Sequence, residues 1–255
     1  MMIEEEKRAN FMKVKHGEEF HISKIAEILK DCVIYKKSVS IGKDTIGLFD
    51  IEKFYPPYKT IILSSKGEPL ITKESTSEIV SRFRKTRKKN VNYCKMIIKE
   101  TFGKGNYLHA YIEKDMLLIP LEGESKGNVS YINLVHVDAV TCYSEYESVI
   151  SFSDYLDVIV PKCLSSCLRR LEVNLQHYIA CECSKIYSSL HNQIINPFNN
   201  WRGKCHEDYH GLIVEVIKKL DVDTINDCRT RCELKYEITD NKRDLIMEDN
   251  YTGKL

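Results

Sequence analysis

Apolar positions along the chain recur with two different periods, and the change between them divides the sequence. Residues 164–190 carry Leu164, Leu168, Leu171, Leu175, Tyr178, Ile186 and Leu190, separated by threes and fours or their sum, which predicts one long amphipathic helix. Asn196-Pro-Phe-Asn-Asn200 interrupts that pattern, and Leu212, Ile213, Val216, Ile217 and Leu220 predict a second, shorter helix beyond it. Near the start, residues 18–30 set Ile22, Ile25, Ala26 and Leu29 at helical spacing and predict a short helix. That segment is similar to the first helix of a helix-turn-helix. The stretches after it, 32–35 and 38–42, are β-branched and read as strand, which leaves no second helix for the motif.

From about 31 to 160 the pattern is mostly that of strands. Apolar runs at 107–112 and 116–121 flank the polar turn Glu113-Lys-Asp115, and 129–137 alternates over a strand's length. Runs at 147–152 and 155–160 flank Ser153-Asp154, the spacing of a two-residue hairpin, and Pro161 closes the region. The predicted fold is α+β: a mostly antiparallel sheet region with a short N-terminal helix before it and two C-terminal helices after it. Residues 1–195 are expected to form the main domain. Residues 196–255 would add a helical extension whose polar end, from about 239, frays.

Composition narrows the class. A chain of 255 residues that is 43% hydrophobic can bury a substantial core, and 11 glycines and 6 prolines are too few for a linker-like or low-complexity chain. No apolar run approaches the roughly 20 residues of a membrane span. The start, Met1-Met-Ile-Glu-Glu-Glu-Lys, lacks the basic and then apolar regions of a secretory signal. A cytoplasmic protein without a membrane partner is therefore expected, with its ten cysteines as free thiols.

The charges, 38 basic against 37 acidic, nearly cancel in sum but not in distribution. Arg82-Phe-Arg-Lys-Thr-Arg-Lys-Lys89 holds six cations in eight residues with no acid, and Lys95, Lys99 and Lys104 continue it against Glu100 alone. Cations at this density neutralise phosphates and release counterions, giving affinity without sequence information. Arginine adds a planar, weakly hydrated head suited to the narrow minor groove of A·T-rich DNA. Arg82, Arg84 and Arg87 are the candidates for that task, with Lys85, Lys88 and Lys89 on phosphates, and Phe83 and Tyr93 close enough in sequence to anchor the segment as a loop. A solvated loop is the plain alternative.

Two other chemistries are weighed against this one. Cys181-Glu-Cys183, Cys205-His206 and His210 supply soft ligands in order, but Cys181 and Cys183 lie two apart on a predicted helix and point in opposite directions. Cys163 with Cys167, and Cys228 with Cys232, have one-turn spacing, which more often marks two small hydrophobes than a ligand pair. On a strand, His136-Val-Asp138 would put both polar side chains on one sheet face with Cys142 at the same parity. Nothing marks a nucleophile elbow, a phosphate loop or paired metal carboxylates, and Gly103-Lys-Gly105 is too short for a phosphate cradle. No cofactor, no metal and no catalysis are expected.

Several short segments, taken in order, resemble the ComK family of bacterial competence transcription factors over about residues 63–178. They are Glu68-Pro-Leu-Ile-Thr-Lys-Glu-Ser75, the cationic segment after it, Met116-Leu-Leu-Ile-Pro120, Tyr131-Ile-Asn-Leu-Val-His-Val137 and Ser151-Phe-Ser153 before the amphipathic helix. The chain departs from the family at Ile119-Pro120-Leu121, where members carry Phe-Pro-Thr, and at Val129-Ser-Tyr131, where they carry Cys-x-Trp. Arg, Lys and Thr also replace the Gly and Ser of the family's loop. The resemblance implies a self-associating transcription activator, a homodimer or higher oligomer. It would bind A/T-rich double-stranded promoter DNA largely through the minor groove, work with RNA polymerase and be controlled by proteolysis through a protease adaptor. A nucleic-acid-processing enzyme using His136 and Asp138, and an adaptor whose cations meet an acidic partner, are the alternatives. The long helix from 164 is expected to carry self-association as well as core packing.

Overall fold

The computed structural model describes residues 19–25, 33–86, 88–103, 110–113, 116–122, 128–152, 156–182, 223–225, 227–228 and 230–232. The class is α+β, built on two mostly antiparallel sheets. Strands β2 (Ile34–Tyr35), β3 (Thr45–Asp50), β4 (Thr60–Ser64), β5 (Leu70–Thr72), β6 (Tyr111–Glu113), β7 (Met116–Pro120) and β8 (Tyr131–Asn133) form a seven-stranded sheet in the order β2-β5-β4-β3-β8-β7-β6. Strands β1 (Glu19–His21), β9 (Val137–Ser144), β10 (Glu147–Phe152) and β11 (Asp157–Val160) form a four-stranded sheet in the order β1-β11-β10-β9. Among the described residues only β1–β11 and β2–β5 pair in parallel.

Both faces of the large sheet are buried, so its strands read as continuous apolar runs. Alternate residues nevertheless sort cleanly. Phe49, Ile61, Leu63, Leu117, Ile119 and Ile132 enter the main core, while Leu48, Ile62, Met116, Leu118 and Tyr131 enter a second one on the opposite face. Helix α1 (Thr76–Thr86) covers the second core with Ile79, Val80 and half-buried Phe83. Helices α2 (Lys88–Phe102) and α3 (Leu164–Glu182), with the four-stranded sheet, close the main core. Gly47 in β3 is required by closeness: a Cβ there would lie 2.9 Å from the Phe49 ring and 3.0 Å from the Tyr131 carbonyl oxygen.

Several sequence expectations are corrected. Two helices, α1 and α2, interrupt the region read as sheet, so the arrangement is not one helix before the sheet and two after it. Residues 19–21, expected at the start of the first helix, are a strand paired to Asp157, Val158 and Ile159. Residues 38–42 are not a strand, although Val39 and Ile41 are buried. The hairpin strands β10 and β11 pair antiparallel as expected, while Ser153-Asp154 between them, residues 183–190 and the helix expected at 212–220 lie outside the described residues.

Tyr178 is 2% exposed and packs in the chain's own core, beside Leu175, Ile179 and Cys181. The apolar stripe of α3 is thus consumed internally, and Ser165, Ser166 and Arg169 lie on the helix's other side. The described part of the C-terminal segment contributes Ile225 and Cys232 to the same core, and the Cys228 thiol lies 3.5 Å from the Glu100 carbonyl oxygen.

Candidate nucleic-acid interface

The cationic run is not a loop. It ends α1 and begins α2, with only residue 87 between them. Helix α1 starts at a capping box: the Ser75 hydroxyl accepts from the Glu78 amide at 3.2 Å, and the Glu78 carboxylate accepts from the Ser75 amide at 2.7 Å and hydroxyl at 2.9 Å. Those bonds hold the Glu78 carboxyl below its usual range. Its apolar side faces the second core, and the Phe83 ring tilts onto Tyr111 of β6 at 4.5 Å. Helix α2 buries Cys94, Ile97 and Ile98 in the main core, on the other face of the sheet. The chain therefore passes from one face of the sheet to the other at the turn between the helices, near the β6 edge.

This crossing accounts for the exposure of the described cations on either side of the turn. Its helices can bury only the sides that face the sheet, so the remaining sides meet solvent. Lys85 and Thr86 end α1 exposed, Asn92, Lys95 and Lys99 form an exposed line of threes and fours along α2, and Arg84 is half-buried. Lys88 and Lys89 occupy the first turn of α2, which contains no acid. Cations at a helix N-terminus oppose the macrodipole, so this end of α2 favours an anion. Residue 87 and Lys104 lie outside the described residues.

Arg82 is anchored by two distant residues. Its guanidinium is held by the Glu74 carboxylate through both terminal nitrogens and donates to the Val39 carbonyl at 2.5 Å. Glu74 also accepts from the Val39 amide at 3.1 Å. Arg82 thereby fastens α1 to the segment before β3. The arginine's hydrogen bonds hold the Glu74 carboxyl below its usual range and raise the arginine further.

A carboxyl depressed in the folded state stabilises above its unfolded value, near the ordinary 4.5, and that stabilisation is lost as pH falls through the folded value. Arg82→Ala is expected to lower stability by about 1–2 kcal/mol at neutral pH, because the pair is half exposed. It should also shrink the loss of stability below pH 4.5, and urea unfolding followed across pH measures both effects.

The remaining candidate chemistry is dispersed. His136 belongs to a 3-10 turn (Leu134–His136), where the chain leaves one sheet for the other, and not to a strand. Its Nε2 bonds the Lys43 carbonyl at 2.8 Å, so that nitrogen carries the proton. Asp138 is half-buried at the start of β9, while the Cys142 thiol is exposed and donates to the Ser144 carbonyl at 3.3 Å. Among the described residues no three His, Cys, Asp or Glu side chains gather as metal ligands, and Cys183, Cys205, His206 and His210 lie outside them. Cys163, before α3, is pulled down to about 7 by the Ser165 and Ser166 hydroxyls beside its sulfur. A cleft of about 610 Å³ opens between the sheets, lined by Asp50, Glu52, Phe54, Glu122 and Lys162 among others. Burial there raises the Asp50 carboxyl.

Among the described residues no helix is long and apolar enough to cross a membrane. Comparison of the chain with family models, curated proteins and solved structures finds no match.

Proposed function

We propose that the chain is a DNA-binding transcription activator that grips duplex DNA with the corner between α1 and α2. One observation carries the reading: from residue 79 to 99 the sequence has eight cations and no acid, and the chain bends there around a sheet edge with Lys85, Lys95 and Lys99 exposed. The corner supplies phosphate affinity through Lys85, Lys88, Lys89, Lys95 and Lys99. An α-helix is about 10–12 Å across, which suits the major groove, about 12 Å wide, and not the minor groove of about 6 Å. In this reading the helices lie along the backbone and only a long side chain, Arg84 or Arg87, enters the minor groove.

Preference for A/T-rich promoter DNA, activation, self-association, contact with RNA polymerase and control through a protease adaptor are added from the resemblance to the ComK family. Cytoplasmic location and a main domain of residues 1–195 with an extension of 196–255 belong to the same proposal, as does action without a cofactor or catalysis. The test is a mobility-shift titration against A/T-rich and G/C-rich duplexes with a chelator control. Tighter binding to the A/T-rich duplex, unchanged by chelator, is expected. Equal binding to both would remove the minor-groove arginine, and no binding at low salt would remove the reading.

A further inference from the structure

At the opposite edge of the large sheet three tyrosines gather. Six strand spacings of about 4.8 Å put β2 roughly 30 Å from β6, so this edge is a separate surface from the cationic corner. Tyr35 on β2 is 48% exposed, and its ring centroid lies 5.8 Å from that of Tyr58, which in turn stacks on Tyr55 at 6.0 Å. The loop that carries Tyr55 and Tyr58 is closed by the Ile51 amide bonding the Lys59 carbonyl at 2.9 Å. It is braced by the Tyr55 amide on the Ile51 carbonyl at 2.8 Å. Both loop tyrosines rest on the main core, so the rings are fixed before any ligand arrives.

The charge around the rings is mostly cationic. Lys36 and Lys37 follow Tyr35 and are exposed, as are Lys53 and Lys73. The Lys36 amide bonds the Ile71 carbonyl at 3.0 Å and the Lys59 amide bonds the Thr72 carbonyl at 2.9 Å, which draws Lys36, Lys59 and Lys73 to the same end of β2 and β5. The acids nearby are engaged: Glu52 pairs with Lys59 at 3.3 Å, and Glu74 pairs with Arg82. A half-exposed aromatic face flanked by exposed lysines is suited to unpaired bases, whose π-faces stack while the phosphates meet the ammonium groups.

We propose that Tyr35, supported by Tyr58 and Tyr55 and flanked by Lys36 and Lys37, is a stacking platform for single-stranded nucleic acid. It is distinct from the duplex-binding corner and does not depend on it. The experiment measures fluorescence anisotropy of oligo(dT) and oligo(U) of about twelve nucleotides against the full chain at low salt, within the site sizes such platforms use. An A/T-rich duplex is titrated in parallel.

Tyr35→Leu is expected to weaken oligonucleotide binding about tenfold, because it keeps the apolar bulk and loses the ring. Tyr35→Phe should bind within about twofold of the parent, since its ring still stacks. Lys36→Gln with Lys37→Gln should weaken binding and reduce its salt dependence. Since Tyr35 is exposed, thermal unfolding of the variants should match the parent's.

Equal binding to oligo(dT) and oligo(U) supports a platform that serves either backbone, and a preference for one names the strand it takes. The proposal is overturned if the parent fails to bind either oligonucleotide, if Tyr35→Leu binds like the parent, or if Tyr35→Phe loses as much as Tyr35→Leu. It is also overturned if Tyr35→Leu weakens the duplex and the oligonucleotide alike. Loss of duplex binding alone refutes the corner and leaves the oligonucleotide result readable.

Discussion

Replacing Asn133 with leucine is expected to lower stability by about 3–5 kcal/mol, because three backbone groups lose their partner in a site closed to water. The Asn133 side chain is 0% exposed. Its oxygen accepts from the Leu117 amide at 3.0 Å and the Val135 amide at 3.3 Å, and its nitrogen donates to the Thr45 carbonyl at 2.9 Å. One residue thus binds β7, the start of β3 and the turn into the smaller sheet. Leucine is similar in volume and leaves no large cavity, so the loss would report on hydrogen bonding rather than packing. Urea unfolding gives the number, and a loss below about 1 kcal/mol would mean that water or a backbone shift satisfies those groups.

The second large effect concerns the corner. Changing Lys85, Lys88 and Lys89 together to alanine should reduce affinity for every duplex by about a hundredfold, at roughly 1 kcal/mol for each phosphate they neutralise. The slope of log K against log salt should become shallower by nearly one for each phosphate left unneutralised. Arg84→Ala should instead cost about 1–3 kcal/mol on the A/T-rich duplex and less on the G/C-rich one. Filter binding over a salt series separates the two patterns. An unchanged slope in the triple-lysine variant would show that these cations face solvent without touching phosphate.

Much of the sheet was legible because its strands are short apolar runs between polar turns. Residues 147–152 match β10 along their whole length, and 116–121 covers β7. The helices α1 and α2 were not legible, and the reason lies in their geometry. Ile79, Val80 and Phe83 face one side of the sheet while Cys94, Ile97 and Ile98 face the other, so no single apolar stripe runs through 76–102. The usable signal was Ser75-Thr-Ser-Glu78, a capping box ahead of Ile79-Val80.

Residues 38–42 failed in the opposite sense. Val39 and Ile41 alternate as a strand would, but Glu74 and Arg82 take the Val39 amide and carbonyl, so side chains do what a neighbouring strand would have done. The anchoring of Arg82 was not legible either, because the groups that hold it come from residues up to 43 positions away and no local pattern announces them.

The parallel pairing of Glu19–His21 with Asp157–Ile159 has a bearing on how the chain is made. His21 meets Glu147 at 2.8 Å across 126 residues of sequence. At ribosomal speeds of about 5–20 residues per second, the first strand waits on the order of 7–28 s before its partner is synthesised. Late in that interval, once residue 133 has been made, the seven-stranded sheet drawn from 34–133 can assemble, while residues 19–21 still lack their partner strand. The newborn chain thus has a period in which β1 exists without the sheet it will border, and the smaller sheet can close only when β11 has been made.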